Sequence, residues 1–419
     1  MGDGFMNYVK HARCTLCHNT FPVNPMTTTC QTCGDKGILE IEYDYETLKK
    51  TINKDYFKTQ KDLTMWRYKS MMSFDSNYLE LTLPIGFTPL IKSYNLSKKL
   101  NLETLYIKDE GMNPTGSLKD RASAVAVVKA LEANKDIISC SSTGNAASSL
   151  AGNAAHVGLK TMIFVPKRAP IGKLRQLSIY GATVFKVDGD YKSTFELSKA
   201  AIDEYGWYNR NAAINPHLVE GKKTVAYEIA EQLDFNCPDW VVVSVGDGCT
   251  IGAVYKGFYD LKTLQLIDRI PKILGVQSEG CAPFVIAEEN QRELIETDEN
   301  TIADSIAVGI PRNPIKALNA VRKSSGRFIA VSDQSILESM RILGELEGIF
   351  AEPASAAGLA GLIKAIEIGI ISPSQSVVFI HTGNGLKDPQ SAERIVDAPH
   401  EINKNLEALK KILKPEVLK

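Results

Sequence analysis

Residues 137–166 read IISCSSTGNAASSLAGNAAHVGLKTMIFVP, and the texture of this stretch decides the fold. An apolar run opening on Ile137 and Ile138 breaks at Ser142-Thr143-Gly144, and small residues at helical spacing follow from Asn145. A second apolar run, Thr161–Pro166, begins after Gly158. Two short strands joined by a helix make a crossover unit, which implies a parallel sheet because antiparallel neighbours need only a tight turn. The alternation continues on both sides. LYIKDE, TVFKVDG, DWVVVSVGDG, KILGVQSEG and SVVFIHTGNG read as further strands, with KDRASAVAVVKALEAN, STFELSKAAIDEYG, GAVYKGFYDLKTL and ASAAGLAGLIKAIEIG as helices between them. The expectation is an α/β protein with two open, mostly parallel sheets, flanking helices and a cleft between them.

The chain has 419 residues, 44% of them apolar and 23% charged, enough to bury a large core in two or three units and unlike a disordered or fibrous protein. Lys and Arg number 48 against 49 Asp and Glu, so a net charge of -1 gives no reason to expect nucleic acid or an anionic membrane as partner. Neither an apolar run of about 18 residues nor a signal sequence is present, which reads as a soluble, cytoplasmic protein. Composition divides the chain into a ribbon over residues 1–40, a polar, aromatic-dotted connector over 41–85, a main region over 86–400 and a C-terminal helix over 401–419. Within the main region a smaller subdomain covers about residues 123–225. The polar stretch AEENQRELIETDENTIADS reads as an exposed helix and loop, not as part of a site.

Four of the eight cysteines, Cys14, Cys17, Cys30 and Cys33, form two CxxC pairs. Each pair turns tightly enough to point both sulfurs at one ion, so in a reducing compartment they read as the ligands of one structural Zn2+. A disulfide pair or idle thiols are the other readings. Such a ribbon lacks a core of its own, and the metal would fold it.

Glycine-rich turns follow three of the strands: Ser142-Thr143-Gly144-Asn145, Gly246-Asp247-Gly248-Cys249-Thr250 and Thr382-Gly383-Asn384-Gly385. Ligands of parallel sheets bind there, where glycine admits close approach and helix N-termini present N–H groups. GDGCT has the form of an anion nest, without the Lys-Ser/Thr of a nucleotide-binding P-loop, and suits a phosphate monoester. Lys119, in NPTGSLKDRAS, opens the next helix. A phosphate cup, a lysine at a helix start and no obvious catalytic dyad together suggest pyridoxal 5'-phosphate, whose ring carries the chemistry.

In order along the chain, NPTGSLKDRAS, SSTGNAASSLA, NPHLVEGKKTVAYEIA, VGDGCTIG, FAEPASAAGLAG and TGNGLKD resemble the fold-type II pyridoxal-phosphate enzymes, the tryptophan synthase β-like superfamily, and within it the threonine synthase branch. The likeness runs from about Thr88 to Asp388, and CxxC ribbons also occur in that branch. It implies that Lys119 is the Schiff-base lysine and the base at the α-carbon. It implies that Asn145 bonds the ring hydroxyl, that Gly246, Asp247, Gly248, Cys249 and Thr250 hold the phosphate, and that Thr382 faces the ring nitrogen. Ser142, Thr143 and Gly144 would grip the carboxylate of an amino-acid substrate, and a homodimer is the common assembly. Asp120 and Arg121 read as first-turn helix residues, Glu352 as a helix start that could lie near the cofactor, and His381 as a packing residue.

One position departs from the branch, which usually reads NPxRxEG and uses the arginine for the substrate's phosphate. Here it is Leu218, in Asn215-Pro216-His217-Leu218-Val219-Glu220-Gly221. Lys167, Arg168, Lys222 and Lys223 are candidates for the missing charge. Elimination and replacement on an O-phosphorylated amino acid is the leading expectation, with O-phosphohomoserine giving threonine. A β-replacement enzyme taking O-phosphoserine and sulfite, and a non-catalytic metal-dependent binding protein, are the alternatives.

Overall fold

In the computed structural model, which describes residues 8–74, 76–167, 171–189, 191–291 and 293–413, the crossover unit forms as strand Ile137–Ser141, helix Asn145–His156 and strand Lys160–Pro166. The two strands pair in parallel with Cys140 opposite Ile163. Thr183–Val187 and Tyr208–Asn209 extend them to a four-stranded parallel sheet. A second sheet has six strands in the order Arg327–Val331, Lys272–Ser278, Trp240–Ser244, Ser376–His381, Thr104–Asp109 and Leu90–Ser93. Leu90–Ser93, at its edge, runs antiparallel; the other five are parallel. All five residues of Trp240–Ser244 are buried, which is why this strand reads as an unbroken apolar run and not as an alternation. No described helix is long and apolar enough to cross a membrane.

The N-terminal ribbon is an antiparallel sheet of Thr20–Phe21, Val9–Cys14, Gly34–Tyr43 and Thr29–Cys30. It docks on the body. Ile38 packs with Ala213, Ile214 and Cys249, and Lys316 Nζ donates to the Leu39 carbonyl at 2.8 Å. Beyond it, Tyr43 donates to Glu220 and Tyr45 to Asp260, which ties the strand end to helices His217–Gln232 and Cys249–Thr263. Residues 41–85, polar in composition, put Met65, Trp66, Tyr68, Met71, Phe74 and Ile85 into the main core. Met65, Trp66, Tyr68 and Met71 fall in the short 3-10 turn Met65–Met71 and Phe74 and Ile85 in irregular chain, so no 3.6-residue period marks them in the sequence.

Helix Lys119–Glu132 is anchored by a charge network with no exposed member. Arg121 donates to Glu110 at 2.6 and 2.7 Å, to Glu228 at 2.5 and 2.7 Å and to Thr224 Oγ1 at 2.8 Å. Lys108 adds Glu228 at 2.6 Å and the Thr88 carbonyl at 2.7 Å. Burial by itself would raise the Glu228 carboxyl; Arg121 and Lys108 outweigh it and hold the group down to about 2. Asp120, next in the chain, accepts from Thr115 N at 2.7 Å and Thr115 Oγ1 at 2.5 Å, fixing the turn ahead of the helix. Both first-turn residues are therefore bracing groups.

Replacing one partner of such a network strands the others in a dry interior. Arg121→Met is expected to lower the unfolding free energy by about 3–5 kcal/mol in urea titration, and a variant as stable as the parent would contradict this role.

Candidate active site

Two turns lace together at the carboxyl end of strand Ser376–His381. Leu118 N donates to the Thr382 carbonyl at 2.9 Å, Asn384 N donates to the Gly116 carbonyl at 3.0 Å, and Ser117 bridges to Gly383. Gly116 takes φ +80°, which lets the chain double back after Asn113-Pro114-Thr115 and deliver Lys119 to the mouth of the sheet. On the other side, Thr382 N donates to Ser355 Oγ at 2.8 Å, and the same hydroxyl lies 2.8 Å from His381 Nδ1. Ser355 then has its own proton to donate to Nδ1, leaving Nε2 protonated toward Asp109, 3.5 Å away. Burial lowers His381 to about 4, so it is neutral near pH 7 and orients Thr382 through Ser355.

The second turn opens helix Cys249–Thr263. Gly248 adopts φ +85° at the N-cap, and no side chain caps the helix. A Cβ at Gly248 would meet the Asn313 carbonyl at 2.8 Å, so glycine is required there, and one at Gly246 would press on Ile306 Cα at 3.1 Å. The result is a row of helix-start N–H groups beside the Thr250 side chain, suited to an anion. Cys249 is buried; burial raises its thiol above the ordinary range, so its backbone N–H is the group on offer.

Three buried cations lie within electrostatic reach of this cup. Burial lowers Lys119, Arg210 and Lys222 from their ordinary values, and they sense one another's charge: Arg210 and Lys119 both depress Lys222, which falls to about 8. Cys249 is within electrostatic reach of all three, as are carboxylates at longer range: Asp247 for Lys119 and Lys222, Glu352 for Lys119 and Asp120 for Arg210. Arg210 donates to Ser123 Oγ at 3.1 and 3.2 Å, and no carboxylate ion pair with a described residue joins any of them. An uncapped helix start, two close-packed glycines and buried cations without a close ion pair among the described residues form a donor set that fits a phosphate monoester.

A cavity of about 480 Å³ adjoins these groups, with Thr143, Gly144, Asn145, Ser305, Glu352 and Lys387 on its wall. Lys119, Ser142, Thr382 and Gly246–Thr250 are not among its lining residues, and they reach it through neighbours. Asn145 Nδ2 donates to Glu352 Oε1 at 2.7 Å and approaches Ser305 Oγ at 3.5 Å, while Ser305 and Ile306 pack over Gly246. Ser142 N is used by the Phe164 carbonyl at 3.2 Å, and its Oγ accepts from Gly144 N at 3.2 Å.

Glu352 combines the two roles that its sequence left open: it is the N-cap position of helix Pro353–Glu367 and a cavity residue. A Cβ on Gly383 would collide with its carboxylate, so the glycine of Thr382-Gly383 makes room for the Glu352–Asn145 contact. Asp304 and Ser305, at the end of the polar stretch 287–305, also line the cavity, which corrects its reading as remote from the site. Only a tertiary contact could have revealed them. Leu218 is fully buried in the main core and brings no group to the cavity.

In the ribbon, Cys14, Cys17, Cys30 and Cys33 offer sulfurs that all lie within 4.8 Å of one another. Gly34 at φ +61° turns the chain after the second pair, and a Cβ at Gly37 would lie 2.5 Å from Cys30 Cβ and 2.6 Å from Cys33 Cβ.

Residues 81–383 match the family of pyridoxal-phosphate dependent enzymes. The chain is 40% identical to a threonine synthase of Methanocaldococcus jannaschii over 405 residues, covering 96% of this chain and 99% of that protein. It is 37% identical to a threonine synthase of Methanosarcina acetivorans over 406 residues, 96% of this chain and 98% of the relative. Among solved structures, isoform 2 of threonine deaminase from Solanum lycopersicum superposes with a TM-score of 0.63 at 20% identity, covering 76% of this chain and 90% of that one. Diaminopropionate ammonia lyase from Escherichia coli gives 0.65 at 18% identity, covering 76% and 90%. Both are likenesses of fold.

The cation cluster implies a pH dependence. With Lys222 at about 8, its amine is charged below pH 8, and an anion bound to the charged form raises that value. Affinity for inorganic phosphate, measured by calorimetry, is thus expected to fall as pH rises above 8, and Lys222→Gln to lose that part of the dependence. Identical pH profiles for the two proteins would refute the assignment.

Proposed function

The chain belongs to the pyridoxal-phosphate dependent enzymes, in their threonine synthase branch, and from that premise we propose that it is a lyase converting O-phosphohomoserine and water to threonine and phosphate. The observation that carries the reading is similarity to threonine synthases over nearly the full length of both chains. When bound, the cofactor supplies an electron sink for negative charge at the substrate's carbons.

In this reading the residues divide the work. Gly246, Asp247, Gly248, Cys249 and Thr250 bind the cofactor's phosphate through helix-start N–H groups, supported by Lys222 and Arg210. Asn145 donates to the ring hydroxyl, and Thr382, whose backbone N–H is held by Ser355 and through it by His381, offers the ring nitrogen a neutral hydroxyl. A hydroxyl holds a proton on that nitrogen less firmly than a carboxylate would, and this favours elimination and replacement over transamination. Lys119 is the covalent anchor. Once the substrate's amine takes its place, burial and Arg210 favour the neutral amine that removes the α-proton. Loss of phosphate from the γ-carbon and addition of water at the β-carbon complete the conversion, with the substrate carboxylate at Thr143 and Gly144, beside Ser142. The same reading makes the protein a cytoplasmic homodimer. It also makes the four-cysteine cluster a structural Zn2+ site, because four thiolates complete a tetrahedral shell and the ribbon's own core is small.

Two measurements test this. Lys119→Ala is expected to lose the visible absorbance of the holoenzyme and to release phosphate from O-phosphohomoserine about 10²–10⁴-fold more slowly. Turnover of O-phosphoserine with sulfite, and none of O-phosphohomoserine, would instead establish the β-replacement alternative. Metal analysis of a Cys14→Ser, Cys17→Ser variant should show about one equivalent of zinc lost per chain; an unchanged content would remove the metal from the account.

A further inference from the structure

With Leu218 in the core, an anionic substrate needs its positive charge from elsewhere. The candidates read from sequence are otherwise engaged. Lys223 is bound to Glu220 at 2.5 Å and Asp260 at 2.9 Å, Lys222 faces the cup, and Lys167 pairs with Asp188 at 3.2 Å on the exposed surface. Arg168 lies outside the described residues.

The cavity wall supplies a different answer. Among its described lining residues the one cation is Lys387, in Gly385-Leu386-Lys387 beyond the Thr382 turn. Its Nζ lies 3.2 Å from Ser148 Oγ, in the first turn of the helix that Asn145 opens. Its stem is guided by Gly116, where a Cβ would come within 3.3 Å of Lys387 Cε. Gly116, which turns the chain toward Lys119, thus also leaves the channel through which Lys387 reaches the cavity.

Glu352 and Asp120 act on the Lys387 charge from nearby, and Asp304 also lines the wall, but among the described residues no carboxylate forms a close ion pair with Lys387. Glu352 accepts from Asn145, and Asp388 accepts from Ser391 Oγ at 2.9 Å. Lys387 is half-buried, so its charge is only partly screened by water. The Lys387 ammonium and the Ser148 hydroxyl thus stand together on the cavity wall, which Gln176 and Thr143 also line. This is a donor set for an oxyanion.

We propose that Lys387, with Ser148, is the anchor for an anionic oxygen of the substrate and sets the enzyme's preference for it, taking over the charge that Leu218 does not provide. The proposal rests on the reading that an anionic amino acid is the substrate. Two groups of O-phosphohomoserine have this chemistry, the α-carboxylate and the phosphate.

The test compares wild type, Lys387→Met and Lys387→Arg as holoenzymes, each first matched to wild type in cofactor absorbance and thermal midpoint. KM and kcat are measured with O-phosphohomoserine, and L-threonine and inorganic phosphate are titrated against cofactor absorbance. Lys387→Met is expected to raise KM about 10- to 100-fold, with a smaller effect on kcat and partial recovery in Lys387→Arg. Weakened phosphate with unchanged threonine assigns the anchor to the phosphate; weakened threonine with unchanged inorganic phosphate assigns it to the carboxylate. Unchanged KM and unchanged titrations in Lys387→Met overturn the proposal, as does an arginine variant as impaired as the methionine one. If wild type fails to turn over O-phosphohomoserine, the proposed reaction fails while the threonine titration still decides Lys387.

Discussion

Lys119, Arg210 and Lys222 are buried within electrostatic reach of the cup, and among the described residues none forms a close ion pair with a carboxylate; Glu352, Asp247 and Asp120 offset their charge only at longer range. The contrast within the same molecule is informative. Arg121 and Lys108 are as deeply buried, yet each has a carboxylate within 2.6 Å. Burying a charge without a partner is strongly unfavourable, so a fold that pairs one set and leaves another open marks the open set as a place where an anion belongs. The paired network serves the unpaired one, since Arg121 and Asp120 fix the helix and turn that carry Lys119.

The ribbon belongs to the same construction. Ile38 shares a buried cluster with Cys249, a residue of the cup, and Lys316, which binds the Leu39 carbonyl, packs over Gly252 in the helix that the cup opens. Tyr43 and Tyr45 continue the contact into the Glu220–Lys223–Asp260 group. Ordering the ribbon, for which four convergent cysteines are in place, thereby braces the helix start from behind.

Much of this was legible in the sequence because it is local. Crossover units show as alternating apolar runs, the form of the GDGCT turn follows from its glycines and helix start, and Lys119 and Asn145 stand in contiguous motifs whose resemblance to the family implied their roles. What was not legible depends on distant segments meeting. Leu90–Ser93 and Tyr208–Asn209 are edge strands of four and two residues, too short for a periodic signal. Residues 41–85 look polar because their buried apolar groups sit in irregular turns. Ser305 and Lys387 reach the cavity only through tertiary contacts, and a polar stretch such as 287–305 gives no local sign that its last residues close over Gly246.

The central claim is that Lys119, out of three neighbouring buried cations, is the one that carries the cofactor. Borohydride reduction of the holoenzyme followed by peptide mapping by mass spectrometry tests it most directly. The account predicts one cofactor-derived adduct, on the peptide containing Lys119 and absent from Lys119→Ala. An adduct on Lys222 or any other lysine in the wild type, or none at all, would contradict it.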